Sequence, residues 1–379
     1  MSYKSEFQAN NVDLQGLIDI VKNLPVERTD ALFLEEETKA LKMPSSARWY
    51  AVAYGNNKFV ALAYNSSKVA YSEDGINWSE SDMLISQNWQ SMTYGAGKFV
   101  AIAYNSNKMA YSTDGINWIE SSMPSTLNWN SVTYGNGKFV AVAYMTNKMA
   151  YSTDGINWVE SSMYSNTNWT DVCFGNGRFV AIQRYSSTNS IVAYSDDGIN
   201  WAESRIGNSY NESWRKIAYG NGKFVIISAS YSSRSAAYSS DGINWSITSL
   251  PDIGYNWYLL GFGNGKFVAL KEGVNKAAYS IDGINWIETE MPSSDYWSAF
   301  VVYGGNKFIA NANSSDVIAI SNDGINWFGS IDKTNIVDVN NNDVTEEIIE
   351  AVTDVRVTDD GNGNVSVTME GFGNIFEIE

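Results

Sequence analysis

The chain has 379 residues, 44% hydrophobic and 14% aromatic, ample for an extensive core, and no run of about 18 apolar residues marks a membrane span. The net charge of −17 is unevenly spread: residues 1–45 carry five Lys/Arg against eight Asp/Glu, residues 46–330 carry 18 against 22, and residues 331–379 carry two against 12. Acidity is thus chiefly a property of the tail, and with no basic stripe anywhere a nucleic-acid partner is not expected.

At the N-terminus, Met1 to Lys4 lacks the charged-then-apolar pattern of a secretory leader, so export by the general route is not expected. Leu14, Leu17, Ile18, Val21 and Leu24 form an apolar stripe at helical spacing, with Asn or Asp before it as a cap and Pro25 after it. Residues 1–45 therefore read as a helical docking segment and linker. The stripe must be covered, either by the main body or by a partner or second copy.

From residue 46 the chain repeats. Asp-Gly-Ile-Asn-Trp recurs with its aspartate at Asp74, Asp114, Asp154, Asp197, Asp241, Asp282 and Asp323, at steps of 40, 40, 43, 44, 41 and 41 residues. That period matches a four-stranded propeller blade. In the repeat from Trp129, an alternating run to Gly135 is the first strand, Asn136-Gly137 the turn and Lys138 to Tyr144 the second strand. Lys148 to Ser152 is the third, and the Thr153-Asp154-Gly155 turn leads to a fourth around Trp158. The fold class is therefore all-β, a seven-bladed β-propeller of four-stranded antiparallel blades over 46–330, with repeats near 46–85, 86–125, 126–165, 166–209, 210–252, 253–293 and 294–330.

All 14 tryptophans fall into two series. Trp49, Trp89, Trp129, Trp169, Trp214, Trp257 and Trp297 open the first strands, and Trp78, Trp118, Trp158, Trp201, Trp245, Trp286 and Trp327 follow the turns. Both series are expected to wedge between neighbouring blades. Cys173 occupies a strand position held elsewhere by Thr93, Thr133 or Ala218, so it reads as a small buried residue, with no disulfide possible within the chain. The first blade starts on its inner strand and the last ends on its outer one, so no blade is expected to take strands from both termini.

Beyond the repeats, Val344 to Val352 has helical periodicity, and Val355 to Thr358 with Val365 to Met369 reads as a hairpin. Residues 331–379 thus make an acidic helix-hairpin appendage, too small to be stable alone. The turn from Asp359 to Asn364 lacks the glutamate spacing of a calcium loop.

The turn Ser-x-Asp-Gly-x-x-Trp, as in Ser112 to Trp118, resembles the Asp-box of sialidases and related BNR propellers, one residue shorter than the usual form. The resemblance implies a structural hairpin away from the catalytic face. Chemistry agrees: Ser and Asp accept hydrogen bonds from the turn's amides and Gly takes positive φ, while one carboxylate per turn is too few for calcium. Residues 3–25 also resemble N-terminal segments of tail and virion-associated proteins of phages of Gram-positive hosts, which implies docking to other virion proteins and a virion or extracellular location.

In an up-and-down blade the first-to-second and third-to-fourth connections share one face, and these are nearly uniform. The opposite face varies and is rich in Tyr, Asn and Ser, a recognition composition. Its candidate ligand-binding residues are Tyr164, Arg184, Tyr185, Arg205, Tyr210, Arg234, Tyr255 and Tyr296. The expectation is a non-enzymatic recognition or adhesion propeller for a host surface glycan or protein, without cofactor, metal or membrane partner. One alternative is a sialidase-like glycosidase. That family clamps a substrate carboxylate with three arginines, and Arg48, Arg184, Arg215 and Arg234 are available here, though its N-terminal arginine motif is absent. The chain has no histidine, so catalysis would fall to carboxylates such as Asp171, Glu203, Glu212 and Asp295. The other alternative is a purely architectural decoration protein.

Overall fold

A computed structural model describes residues 33–185, 190–207, 212–229, 235–251, 256–337, 354–359, 365–370 and 376–378. The helices expected over residues 14–24 and 344–352 lie outside them. Two compact units are present, one of Leu41–Gly329 and one of Met1–Ala40 with Ser330–Glu379.

Within Leu41–Gly329 all regular structure is antiparallel β. Trp169–Gly175, Arg178–Gln183, Ile191–Ser195 and Ala202–Arg205 make one four-stranded sheet in chain order, and the two following repeats make two more. The first three repeats are joined into a nine-stranded sheet. Sequence reading places loops between these repeats, but Ser79–Gly95 and Ile119–Gly135 run as single strands from one repeat into the next. Their first halves pair backward and their second halves forward. Only six residues separate Met83 from Trp89 and Met123 from Trp129, and an extended chain covers that step without turning.

The second strands, such as Phe99 to Ala103 and Phe139 to Ala143, are fully buried along their length. Both faces are covered because each sheet packs on its neighbour: Val100, Ile102 and Met109 of one repeat meet Trp129, Phe139 and Ala141 of the next. The seven strand-opening tryptophans are completely buried, while most of the second series is only partly so. Aromatic residues link the sheets through glycine. A Cβ on Gly135 would lie 2.0 Å from Phe174 Cγ, and the same contact joins Gly55 to Tyr94, Gly95 to Tyr134, Gly175 to Tyr219, Gly263 to Tyr303 and Gly304 to Tyr54, with Phe262 over Gly220. The last of these pairs returns to the first repeat, so the series closes on itself.

Closure also uses backbone. Phe328 bridges Ile320, and Lys42 bridges Val317 further along the same edge. Leu41 N donates to Gly329 O at 3.1 Å, and Met43 N to Asp316 O at 2.7 Å. The outer edge of the last sheet is thus built from both ends of the unit, which corrects the expectation that no blade takes strands from both termini. The physical reason is burial: Leu41 and Met43 are inaccessible, and Met43 fills the place held by Met83, Met123, Met163 and Met291, six residues before a strand-opening tryptophan.

On the uniform face the repeated turns form a closed hydrogen-bond set. Ser112 Oγ accepts from Gly115 N at 2.8 Å, and Asp114 Oδ1 accepts from Ile116 N at 2.9 Å and Asn117 N at 2.8 Å. Gly115 has φ +77°. Asp74, Asp154, Asp197, Asp241, Asp282 and Asp323 repeat this arrangement. Burial raises each carboxyl, but the amide bonds outweigh it and hold Asp74, Asp282 and Asp323 at about 2 and the other four lower still. A depressed folded-state pKa stabilises above the unfolded value near ~4 and loses that contribution as pH falls toward ~2. The melting temperature is therefore expected to drop steeply below about pH 4, and less steeply in Asp114→Asn; a flat profile down to pH ~2 would count against it.

Neighbouring repeats are also tied through the first turn. Asn136 Nδ2 donates to Asp196 O at 3.3 Å and Asn264 Nδ2 to Asn322 O at 3.1 Å, and Asn56, Asn176 and Asn221 do likewise. Ala96 stands at this place in the second repeat with φ +46°. Asparagine tolerates that conformation better than alanine, so Ala96→Asn should raise stability by about 0.5–1 kcal/mol, read by urea unfolding.

In the other unit, Phe33–Ala40 pairs antiparallel with Ser330–Val337. Asp354–Asp359 pairs with Val365–Glu370, and Phe376–Ile378 adds a third strand.

Candidate functional site

A β-bulge repeats just after six of the seven strand-opening tryptophans, all but Trp297. The ladder between first and second strands slips between Trp49 and Ala51, Trp89 and Ser91, Trp129 and Ser131, Trp169 and Asp171, Trp214 and Lys216, and Trp257 and Leu259. A bulge re-aims the side chain it leaves unpaired. Those side chains are Tyr50, Gln90, Asn130, Thr170, Arg215 and Tyr258, and all six line one cavity of about 580 Å³ enclosed by the ring of first strands.

Two further layers complete the cavity. Tyr64, Tyr104, Tyr144 and Arg184, at the starts of second-to-third connections, line it toward the variable face. Val52, Met92, Val132, Val172, Ile217 and Leu260, two residues beyond the bulges, line it with apolar groups. The site is polar at its mouth and apolar further along the strands.

Its charges are unbalanced. Among the described residues Arg48, Arg184, Arg215 and Lys216 share the cavity with one carboxylate, Asp171, and that carboxylate is engaged. Asp171 accepts from Ser131 Oγ at 2.7 Å and Ile217 N at 3.1 Å, with Lys216 Nζ at 3.7 Å. The three arginines have no ion pair among the described residues. Instead Arg48 Cζ lies 4.6 Å from the Tyr64 ring centroid and 5.5 Å from that of Tyr50, while Arg215 Cζ lies 3.8 Å from that of Tyr258. Arg215 Nε is buried with no hydrogen-bond partner among the described residues. Stacking fixes the guanidinium planes and leaves donors for an incoming anion.

The tyrosines respond to this field. Burial raises the Tyr50 phenol, but Arg215, Lys216, a hydrogen bond with Gln90 and Arg48 together bring it below the ordinary value. Burial lifts Tyr104 and Tyr258 above it, despite nearby arginines. Around the ring, Gln90 Nε2 donates to Asn130 Oδ1 at 3.1 Å, and Asn130 Nδ2 donates to Thr170 O.

Of the residues selected from sequence, Arg184 lines the cavity. Tyr185 follows it, exposed, with its backbone bridged to Ser213. Tyr164 is 90% exposed, Tyr296 is exposed beside Gly273, and Arg205 is exposed at the end of its strand. None of these four lines the cavity. Tyr210, Arg234 and Tyr255 lie outside the described residues. Of the candidate carboxylates only Asp171 lines the cavity. Glu203 accepts from Ser165 N and Oγ, both at 2.7 Å, and Asp295 from Ser293 Oγ at 2.5 Å. No carboxylate pair spans the cavity among the described residues, and no group of three His, Cys, Asp or Glu is placed to hold a metal.

Tyr50, Gln90, Asn130 and Tyr258 escape a reading that looks for function only in loops. A signal exists: the residue after each strand-opening tryptophan is Tyr, Gln, Asn, Thr, Arg, Tyr or Ser, variable inside otherwise uniform strands.

No family model matches the sequence, and no curated relative is found. Solved structures do match in fold. Virginiamycin B lyase from Staphylococcus aureus is 13% identical, with a TM-score of 0.63 over 76% of this chain and 97% of its own. A streptogramin B lyase gives 11% and 0.64, again over 76% and 97%. YCF48 bound to D1 peptide gives 13% and 0.58 over 78% of this chain and 96% of its own. These are β-propeller proteins, and the chain has a propeller fold. The expectation of a protein without enzymatic activity is corrected by the same finding, because two of these neighbours are lyases and the fold is thus one on which enzymes are built.

Proposed function

We propose that this chain is a seven-bladed recognition propeller that takes an anionic group of a host surface glycan or protein into its axial cavity. The observation that carries this reading is the set of three arginines from different repeats, Arg48, Arg184 and Arg215, none of them ion-paired among the described residues and two of them stacked on tyrosine. Electrostatics favours the reading, since a low-dielectric cleft lined by one sign of charge concentrates the opposite ion. Charge-assisted bonds to a planar guanidinium add orientation. The variable loops around the mouth supply Tyr164, Tyr185 and Tyr296 as outer contacts, with Arg205, Tyr210, Arg234 and Tyr255 as further candidates. A propeller of this fold holding a peptide, as in YCF48 bound to D1 peptide, is consistent with a macromolecular ligand.

The Asp-box-like turns fasten the blades of this propeller, which spans residues 46–330. Residues 1–45 and 331–379 dock it to other virion or tail proteins, and the molecule works on a phage particle or outside the cell. A sialidase-like mechanism is the weaker reading, because that family pairs its tyrosine with a glutamate and adds an aspartic acid, whereas the single carboxylate lining the cavity among the described residues, Asp171, is engaged by Ser131, Ile217 N and Lys216. The test is an array of acidic and neutral surface glycans and host wall fragments, probed with the full chain. Retention on acidic ligands, reduced by raised salt, is the expected result, whereas equal retention on neutral ligands, or none at all, refutes the reading.

A further inference from the structure

The cavity holds an unusual set of groups for chemistry. No histidine exists in the chain. Among the described residues the one carboxylate lining it, Asp171, is held by Ser131, Ile217 N and Lys216, so neither two-carboxylate hydrolysis nor a carboxylate base is provided by them. What remains is a tyrosine among cations. Tyr50 projects from its bulge with Arg48 on one side, 5.5 Å from its ring centroid, and the Tyr64 ring tilted against it at 59°, centroids 5.8 Å apart. Gln90, Arg215 and Lys216 act on the same phenol.

This set suits one reaction class. The C–H bond beside a carboxylate becomes acidic once that carboxylate is neutralised by fixed cations, because the charge that develops on its oxygens is stabilised in place. A base is then needed whose pKa has been brought toward working pH. Among the cavity tyrosines Tyr104 and Tyr258 are driven the other way by burial.

We propose that the axial cavity catalyses β-elimination on a 4-linked uronate residue of an acidic glycan, with Tyr50 as the base and Arg48, Arg215 and Lys216 neutralising the uronate carboxylate. The proposal rests on the reading that this cavity receives the anionic group. The Tyr50 phenolate oxygen takes the proton from C5, the C5–H electron pair becomes the C4–C5 double bond, and the C4–O4 bond breaks. The departing O4 takes a proton from the newly formed Tyr50 phenol, leaving one unsaturated uronate and one chain with a free hydroxyl. No oxidant, metal or water is consumed.

The experiment incubates the full chain with three 4-linked oligouronates, of glucuronate, mannuronate and hyaluronan type, in each of which H5 and O4 lie on one ring face as a single phenol requires, reading the ultraviolet absorbance of the unsaturated product and, separately, binding by calorimetry. Product from at least one is expected, with a rate that rises with pH through the ionisation of Tyr50. Tyr50→Phe should cut the rate by roughly 10²-fold or more and still bind, while Arg215→Ala should weaken binding by roughly 10- to 100-fold. Binding without product from any of the three overturns the elimination and leaves recognition standing. An undiminished rate in Tyr50→Phe overturns the role of Tyr50. Neither binding nor product overturns the elimination, and the array result then decides the recognition reading on its own.

Discussion

Gly135→Ala is expected to destabilise the protein by about 3 kcal/mol or more, or to prevent folding, although it adds one methyl group. The new Cβ would sit 2.0 Å from Phe174 Cγ and 2.4 Å from both Cδ atoms. Those ring atoms cannot retreat, because Phe174 is packed against Phe179, with centroids 4.7 Å apart, and Phe179 is fully buried. The contact is also one of a closed series that returns from Gly304 to Tyr54, so a shift there must be absorbed by every neighbouring sheet. Interiors this dense relax poorly. Phe174→Ala on the same background should recover part of the loss by opening the space, and urea unfolding of the single and double variants measures the coupling. Independent, additive losses would show that the aromatic–glycine contact is not what joins the sheets.

Met43→Ala is the second large effect, at about 2–5 kcal/mol. Met43 lies before the first strand-opening tryptophan, in a stretch that reads as linker. Yet it is buried, its amide donates to Asp316 O at 2.7 Å, and Leu41 beside it is held to Gly329 O. Met123→Ala serves as the internal standard, since Met123 occupies the same place within the repeats and is equally buried. Matching losses in urea midpoint are expected. A negligible effect of Met43→Ala beside a large one of Met123→Ala would mean that the ring closes without this segment.

The sequence made the sheets legible because their determinants are local. Period, turn chemistry at Asn136-Gly137 and Asp154-Gly155, and alternation from Trp129 to Gly135 each act within a few residues. The closing segment was harder to see. Met43-Pro44-Ser45-Ser46 matches Met291-Pro292-Ser293-Ser294, and Trp49 Nε1 and Trp297 Nε1 donate to Ser45 O and Ser293 O alike. That likeness signals part of a repeat, but only its tail end is present, split from Phe328 by most of the chain.

The cavity was hidden for a different reason. A bulge is a property of two paired strands, and nothing in Trp49-Tyr50-Ala51 alone says that Tyr50 turns inward to the axis. Loop composition points to Tyr164 and Tyr296, which are exposed and do not line the cavity, while Arg184 stands out because it begins a variable connection. Arg48 and Arg215 were visible as arginines, but their stacking on Tyr64 and Tyr258 required the fold.

The most direct test of the account is the affinity of the best acidic ligand from the array for Arg184→Ala and Arg215→Ala, with Lys98→Ala on the opposite face as control, by calorimetry at fixed salt. Loss of a charge-assisted bond in the cavity should weaken binding by roughly 10- to 100-fold in each arginine variant, with the control unchanged. Affinities equal to that of the unaltered protein in both arginine variants would contradict recognition in the axial cavity.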